Sequence, residues 1–164
     1  MNARLKDRVC VVTGAARGIG FAIAERFGRE GGRLACVDIS ARRLEPAVGR
    51  LNDMGFDARG YEVDIGRRED VHTLFARVER EFNAPVAVLV NNAVFARFEP
   101  LADIAVDTLE RMFAVGVHGL IWSTQAVVPQ MVRRGGGSIV NLSSVSAFHP
   151  AKDSIAYSAL KAGV

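Results

Sequence analysis

Short apolar runs alternate with amphipathic stretches along the whole of this 164-residue chain. Arg8–Val12 ends in four apolar residues and predicts a buried strand. Gly18–Glu30 follows with Ile19, Ile23 and Phe27 at helical spacing, the stripe of an amphipathic helix. The same alternation gives a strand at Arg33–Asp38, a helix at Ala41–Met54 with Ser40 placed to cap it, and a strand at Asp57–Val63. A helix over Arg67–Phe82 carries Val71, Leu74, Phe75 and Val78 on one face. Val86–Asn91 is so apolar that both of its faces need cover, the mark of a parallel sheet. A long helix is predicted from about Val106 to Arg134, with Pro129 kinking or ending its last turns. Gly135-Gly136-Gly137 breaks the chain before a fifth strand at Ser138–Leu142. A last helix starts near Ser154 and still runs at Val164. Strand and helix alternate five times, so the fold class is α/β, a doubly wound parallel sheet, in one domain over residues 1–164.

Composition narrows the function. Apolar residues make up 49% and charged residues 24%, the balance of a globular domain. The net charge is +3, and Arg42-Arg43, Arg67-Arg68 and Arg133-Arg134 fall at predicted helix ends rather than along one stripe. That distribution argues against nucleic acid as a partner. No uninterrupted apolar run reaches the ~18 residues of a membrane span, and the N-terminus lacks the pattern of a signal peptide, so no membrane partner and a cytoplasmic location are expected. Cys10 and Cys36 both sit inside apolar runs and point to neither zinc nor a disulfide.

The first predicted strand runs into Thr13-Gly14-Ala15-Ala16-Arg17-Gly18-Ile19-Gly20, a glycine-rich turn that opens a helix. Phosphates bind at such turns because backbone N–H groups point outward and the helix dipole favours anions. Gly14 would allow the tight turn, Gly18 a close approach by pyrophosphate, and Gly20 close packing of helix on strand. Asp38 stands eighteen residues beyond Gly20, at the end of the next predicted strand, where a carboxylate accepts hydrogen bonds from the ribose hydroxyls of NAD and repels a 2′-phosphate. Arg17 pulls toward NADP, whereas Arg42 and Arg43 read as helix-surface charges. NAD is therefore expected ahead of NADP.

Near the other end, Tyr157 and Lys161 lie four residues apart, so they share one helix face. A neighbouring cation favours phenolate and suits a tyrosine to proton transfer. Ser143-Ser144 precedes them, with Ser144 thirteen residues before Tyr157.

In combination, Thr13 to Gly20, Asp64, Asn91-Asn92-Ala93, Ser144, Tyr157 and Lys161 resemble the short-chain dehydrogenase/reductase family, with its Rossmann fold, and the resemblance runs from Lys6 to Val164. It implies an oxidoreductase that moves a hydride between a nicotinamide cofactor and a small alcohol or ketone. Tyr157 would then be the general acid/base, Lys161 its electrostatic partner and a ligand of the nicotinamide ribose, and Ser144 the group that polarises the reacting oxygen. Gly14, Arg17, Gly18, Ile19, Gly20 and Asp38 would bind the cofactor. Asp64 would meet the adenine amino group, with Ile65 packed on the ring, and Asn91 and Ala93 would line the adenosine and ribose side. Two plainer roles stand beside these, Asp64 as an N-cap and Asn91-Asn92 as a turn tying neighbouring strands.

Three departures from the family pattern carry expectations. Val94 replaces a glycine after Asn91-Asn92-Ala93, and a β-branched residue resists positive φ. Gly116 stands where the family has an asparagine that holds a water behind the lysine, so Gly116→Asn is expected to raise turnover in a chain completed at its C-terminus. His118, two residues on, would face elsewhere, and His72, His118 and His149 read as solvated or cap histidines. The family pattern also continues past Val164, so the chain reads as C-terminally truncated, with its fifth strand as an edge and its last helix frayed at Tyr157 and Lys161. The complete chain would be a homo-oligomer. The alternative that these departures favour is a catalytically inactive nucleotide-binding relic or a subunit-interaction module.

Overall fold

A computed structural model describes residues 3–164. Its sheet contains β1 (Val9–Thr13), β2 (Arg33–Asp38), β3 (Ala58–Glu62), β4 (Val86–Asn91) and β5 (Ser138–Asn141), all parallel, in the order β3-β2-β1-β4-β5. The helices are α1 (Gly18–Arg29), α2 (Ala41–Asp53), α3 (Arg68–Phe82), α4 (Val106–Phe113), α5 (Gly119–Arg133) and α6 (Ile155–Ala162).

Strand alternation divides the core into two layers. Val9 and Val11 of β1 face one side, with Phe75, Val78 and Phe82 of α3 and Val127 and Met131 of α5. Cys10 and Val12 face the other, with Ala24 of α1 and Leu44 and Leu51 of α2. β1 and β4 are buried along their whole length, as their unbroken apolar character requires. β5 pairs only with β4 and leaves Val140 47% exposed, so it forms a sheet edge among the described residues.

Several local expectations need correction. In α1, Ile23 and Phe27 pack against the core beside the buried Gly20, Ala24 and Gly28, as expected, whereas Ile19 is 66% exposed because the helix begins at the mouth of a cleft. Ser40 occupies the N-cap position of α2 but its side chain makes no capping bond; its backbone N–H donates to Asp38 Oδ1 at 3.1 Å. The predicted long helix runs through Pro129 to Arg133, held by the buried Val127, Gln130 and Met131 around the proline. Gln130 Oε1 accepts from Val86 N–H, and its Nε2 donates to the Phe75 carbonyl, both at 3.0 Å, so one buried amide fastens α5 to β4 and α3. α6 ends at Ala162, two residues before Val164.

Between α4 and α5 lies one π turn, Ala114–His118. The whole helical run Val106–Arg133 is 28 residues long and contains a stretch apolar enough, by length and composition, to cross a bilayer, although no single apolar run in it does. A core helix passes the same test, and α5 packs along α3 and β4.

Burial pushes the Cys10 and Cys36 thiols up to about 12. Neither is therefore expected to react with a thiol reagent at pH 8 while the protein is folded. Both should react together on unfolding in denaturant. A rapid native reaction at either site would show that this layer of the core opens locally.

Candidate active site

In the order β3-β2-β1-β4-β5, chain direction across the sheet reverses between β1 and β4, and a crevice opens beyond their C-terminal ends. One hydroxyl fixes the spacing there. Thr13 Oγ1 donates to the Val90 carbonyl at 3.2 Å and accepts from the backbone N–H of Asn92 at 3.0 Å and of Ala93 at 3.1 Å. Asn92 Nδ2 returns a bond to the Thr13 carbonyl at 2.8 Å. The glycines fit this closeness. Gly14 adopts φ +68°, and a Cβ on it would lie 2.9 Å from Asn92 Nδ2; a Cβ on Gly20 would lie 2.2 Å from the Gly14 carbonyl oxygen. An added Cβ on Gly18 meets nothing within 4 Å, so this part of the turn faces open space.

The resulting cleft has a volume of 720 Å³, in the range of small-molecule sites. Gly14, Arg17, Gly18, Ile19, Gly20, Asp38, Asp64, Ile65 and Ala93 all line it. So do Val94, at 41% exposure and without positive φ, and Phe95. Asn91 does not. Its side chain points behind the cleft, where Nδ2 donates to Asn141 Oδ1 at 2.9 Å, while Asn92 makes the strand tie.

Two arginines of the cleft lay outside the expected set. Arg43, read as a surface charge, reaches Asp38 Oδ1 at 3.3 Å. Arg111 grips Asp64 with both guanidinium arms, Nη1 to Oδ2 and Nη2 to Oδ1, each at 2.9 Å. Asp64 also accepts from Gly66 N–H at 2.9 Å, closing a local turn, and the N-cap of α3 is Arg67 instead. Nothing in the spacing of Arg111 and Asp64, 47 positions apart, announces the pair.

Ser144, Tyr157 and Lys161 all lie outside this lining, Ser144 in the segment after β5 and the other two on α6, against which that segment packs. Ser144 Oγ accepts from Ser146 N–H at 3.1 Å and caps a short 3₁₀ turn. Ser143 Oγ donates to the Lys161 carbonyl at 2.7 Å, fastening that segment to α6. The Tyr157 ring packs at a tilt on Phe98, centroids 5.2 Å apart, and Glu99 N–H donates to the Asp153 carbonyl at 3.0 Å, so the loop after Ala93 closes down beside the phenol. The ammonium of Lys161 donates to the Leu142 carbonyl. Lys161 is 7% exposed, and burial holds its pKa below the usual lysine range.

Gly116 lies in the π turn against α6. A Cβ there would sit 2.3 Å from Leu160 Cδ1 and 3.0 Å from Cγ, and Leu160 is fully buried. The space that an asparagine side chain needs is filled by leucine, which alters the expectation for Gly116→Asn. His118 is exposed and stacks beside Trp122, centroids 6.2 Å apart, and His72 and His149 are also exposed.

The parallel α/β sheet with a cleft at its switch point is the architecture of the doubly wound nucleotide-binding folds. A family model described as short chain dehydrogenase matches residues 8–164. D-threitol dehydrogenase of Mycolicibacterium smegmatis is 35% identical over 161 residues, 98% of this chain and 62% of its own length. A 3-oxoacyl-[acyl-carrier-protein] reductase of Thermotoga maritima is 33% identical over 161 residues, 98% of this chain and 65% of the relative. Among solved structures, NAD+-bound xylitol dehydrogenase superposes with a TM-score of 0.92 at 32% identity, covering 98% of this chain and 62% of that one. A metagenomic short-chain oxidoreductase in complex with NADP gives 0.91 at 30% identity, covering 97% and 72%. The chain belongs to the short-chain dehydrogenase family, and it spans somewhat less than two thirds of the length of the first of these relatives.

Two predictions follow from α6. Gly116→Asn should lower stability by about 1–3 kcal/mol through overpacking, and a urea-unfolding cycle with Leu160→Ala should show the double variant less destabilised than the two singles added. Strict additivity would mean that residue 116 does not press on Leu160. Lys161→Met should keep or raise the melting temperature at neutral pH, since it removes a buried ammonium. The cost of that ammonium is fully present below its lowered pKa and is relieved as pH rises through it toward the ordinary ~10.4. The advantage of the methionine variant should therefore shrink with rising pH, and a growing advantage would contradict the burial argument.

Proposed function

We propose that the chain is the cofactor-binding part of an NAD-dependent oxidoreductase acting on a small alcohol or ketone. The observation that carries this reading is the cleft between β1 and β4, with the glycine turn at one wall and Asp38 at the end of β2. The residues present fit a dinucleotide. The open face at Gly18 suits pyrophosphate, and Asp38 suits the adenosine ribose. Ile65, Ala93 and the Asp64–Arg111 fork suit the adenine side. A nicotinamide bound there supplies the hydride donor or acceptor.

The chain's own residues then manage the substrate oxygen. Tyr157 exchanges its phenolic proton with that oxygen, and Ser144, whose Oγ accepts from Ser146, directs its own O–H hydrogen to it. Lys161 supplies a positive charge one helical turn from the phenol and reaches the nicotinamide ribose. The apolar surface of Phe95 and Phe98 walls the site from water. A cytoplasmic setting goes with this reading. So does a homo-oligomer paired through the exposed apolar residues Val106, Ile121, Val128 and Val132 of the long helical run.

NADH is expected to enhance its fluorescence on titration with the protein, and NAD should be oxidant for at least one member of a secondary-alcohol panel. NAD should bind at least tenfold more tightly than NADP, about 1.4 kcal/mol. Because Arg43 sits beside Asp38 and offers a cation to a 2′-phosphate, Arg43→Ala should widen that preference and Asp38→Ala should narrow it. Equal affinity in the parent chain would contradict the role of Asp38, and tight NADH binding with no turnover of any alcohol would contradict the catalytic part.

A further inference from the structure

At the end of the sheet opposite the crevice, where β1, β4 and β5 begin, lies a second cleft of about 540 Å³. Arg4 and Arg8 line it from the segment before β1, and Arg134 with Gly135-Gly136-Gly137 from the turn between α5 and β5. Three guanidinium groups therefore line one concavity, and among the described residues no carboxylate does. Arg8 and Arg134 take part in no ion pair among the described residues. Arg4 is only partly neutralised. Its Nε and Nη2 donate to Glu30 at 3.3 and 3.1 Å, but Arg26 Nη2 takes the same carboxylate. Like charge gathered round a hollow raises the positive potential there and draws anions in.

The turn between α5 and β5 adds shape and neutral donors. Arg134 folds back on it, Nη1 donating to the Gly136 carbonyl. Gly135 and Gly136 run at φ +84° and +135°, and a Cβ added to either meets nothing within 4 Å, so the backbone lies open. Their N–H groups are spent on the carbonyls of Val132 at 3.0 Å and Met131 at 2.8 Å, while the N–H of Gly137 finds no acceptor among the described residues. Ser138, exposed at the start of β5, brings a hydroxyl to the same lining. Guanidinium forks, a spare N–H and a hydroxyl are the donor set for an anion with several acceptor oxygens, which a phosphate has and a carboxylate has fewer of.

We propose that this cleft binds a small phosphate-bearing anion, with Arg8 and Arg134 as its charged clamps and the Gly137 N–H and Ser138 hydroxyl completing its contacts. The site stands apart from the oxidoreductase reading, because the cofactor crevice lies at the other end of the strands.

The test is an amide chemical-shift titration of the labelled full chain with inorganic pyrophosphate at constant, low ionic strength. Saturable shifts are expected at Arg8, Gly135, Gly137 and Ser138. Arg8→Gln and Arg134→Gln should each weaken that binding about tenfold, the loss of one charged hydrogen-bonding group. Arg8→Lys should retain more affinity than Arg8→Gln, because the charge survives. If one glutamine variant loses its native spectrum, the other decides. No saturation at these amides, or unchanged affinity in a folded glutamine variant, would overturn the site. The same shifts produced by sodium chloride would reduce it to ionic screening and also defeat it. Binding of anionic phospholipid vesicles without saturable pyrophosphate shifts would assign the arginines to a membrane surface instead. Shifts confined to Gly14–Gly20 would defeat this site while agreeing with the crevice. Shifts at Arg8 and Gly137 with none at Gly14–Gly20 would leave this site standing and count against the crevice.

Discussion

The closeness of β1 to β4 at their C-terminal ends is the constraint on which the candidate site depends, and the Thr13 hydroxyl enforces it. That one oxygen bonds three backbone groups of β4 and the turn after it, and Asn92 returns a bond from the other side. Both Thr13 and the strands it joins are buried, so these bonds lie in low dielectric and hold the geometry firmly. With the strand ends fixed, Gly14 and Gly20 must lack side chains, the start of α1 must press on β1, and the open face of the turn must look into the crevice. The site is a consequence of how two strands are tied.

Charge in the cleft is arranged in pairs. Each of the two carboxylates that line it, Asp38 and Asp64, is met by an arginine, but the pairs differ in kind. Arg111 and Asp64 form a planar two-bond fork that also braces the start of α3 through Gly66, so the Asp64 end of the cleft is stiff. Arg43 holds Asp38 by a single longer bond from a half-exposed side chain and can swing away. A rigid Asp64 end beside an adjustable Asp38 end suits the proposed site, in which Asp38 sets the choice between related nucleotides. The relatives in hand include both an NAD+-bound and an NADP-bound structure, in keeping with a family in which that choice varies on a constant frame.

The sheet was legible in the sequence because its signal is local. Val9–Val12 and Val86–Val90 are unbroken apolar runs, and α3 shows its stripe of Val71, Leu74, Phe75 and Val78 at helical spacing. The glycine turn was legible for the same reason. Hidden features all join distant parts of the chain: Arg111 on Asp64, Gln130 across α3 and β4, and Leu160 in the space over Gly116. Periodicity records which face of an element is buried, not what it is buried against. Ile19 misled for a related reason, since an apolar residue at a helix start can face a ligand cleft as well as a core. Asn91 stood in the right motif, but only its bond to Asn141 and its absence from the cleft lining show that it faces away from the cleft.

In the proposed function, the crevice between β1 and β4 is where nicotinamide dinucleotide binds. The most direct measurement is an amide chemical-shift map of the isotopically labelled full chain titrated with NAD. Saturable shifts are expected, concentrated at Gly14 to Gly20, Asp38, Ile65 and Ala93, with the amides of β5 little changed. Shifts clustered elsewhere, or none at saturating nucleotide, would contradict it.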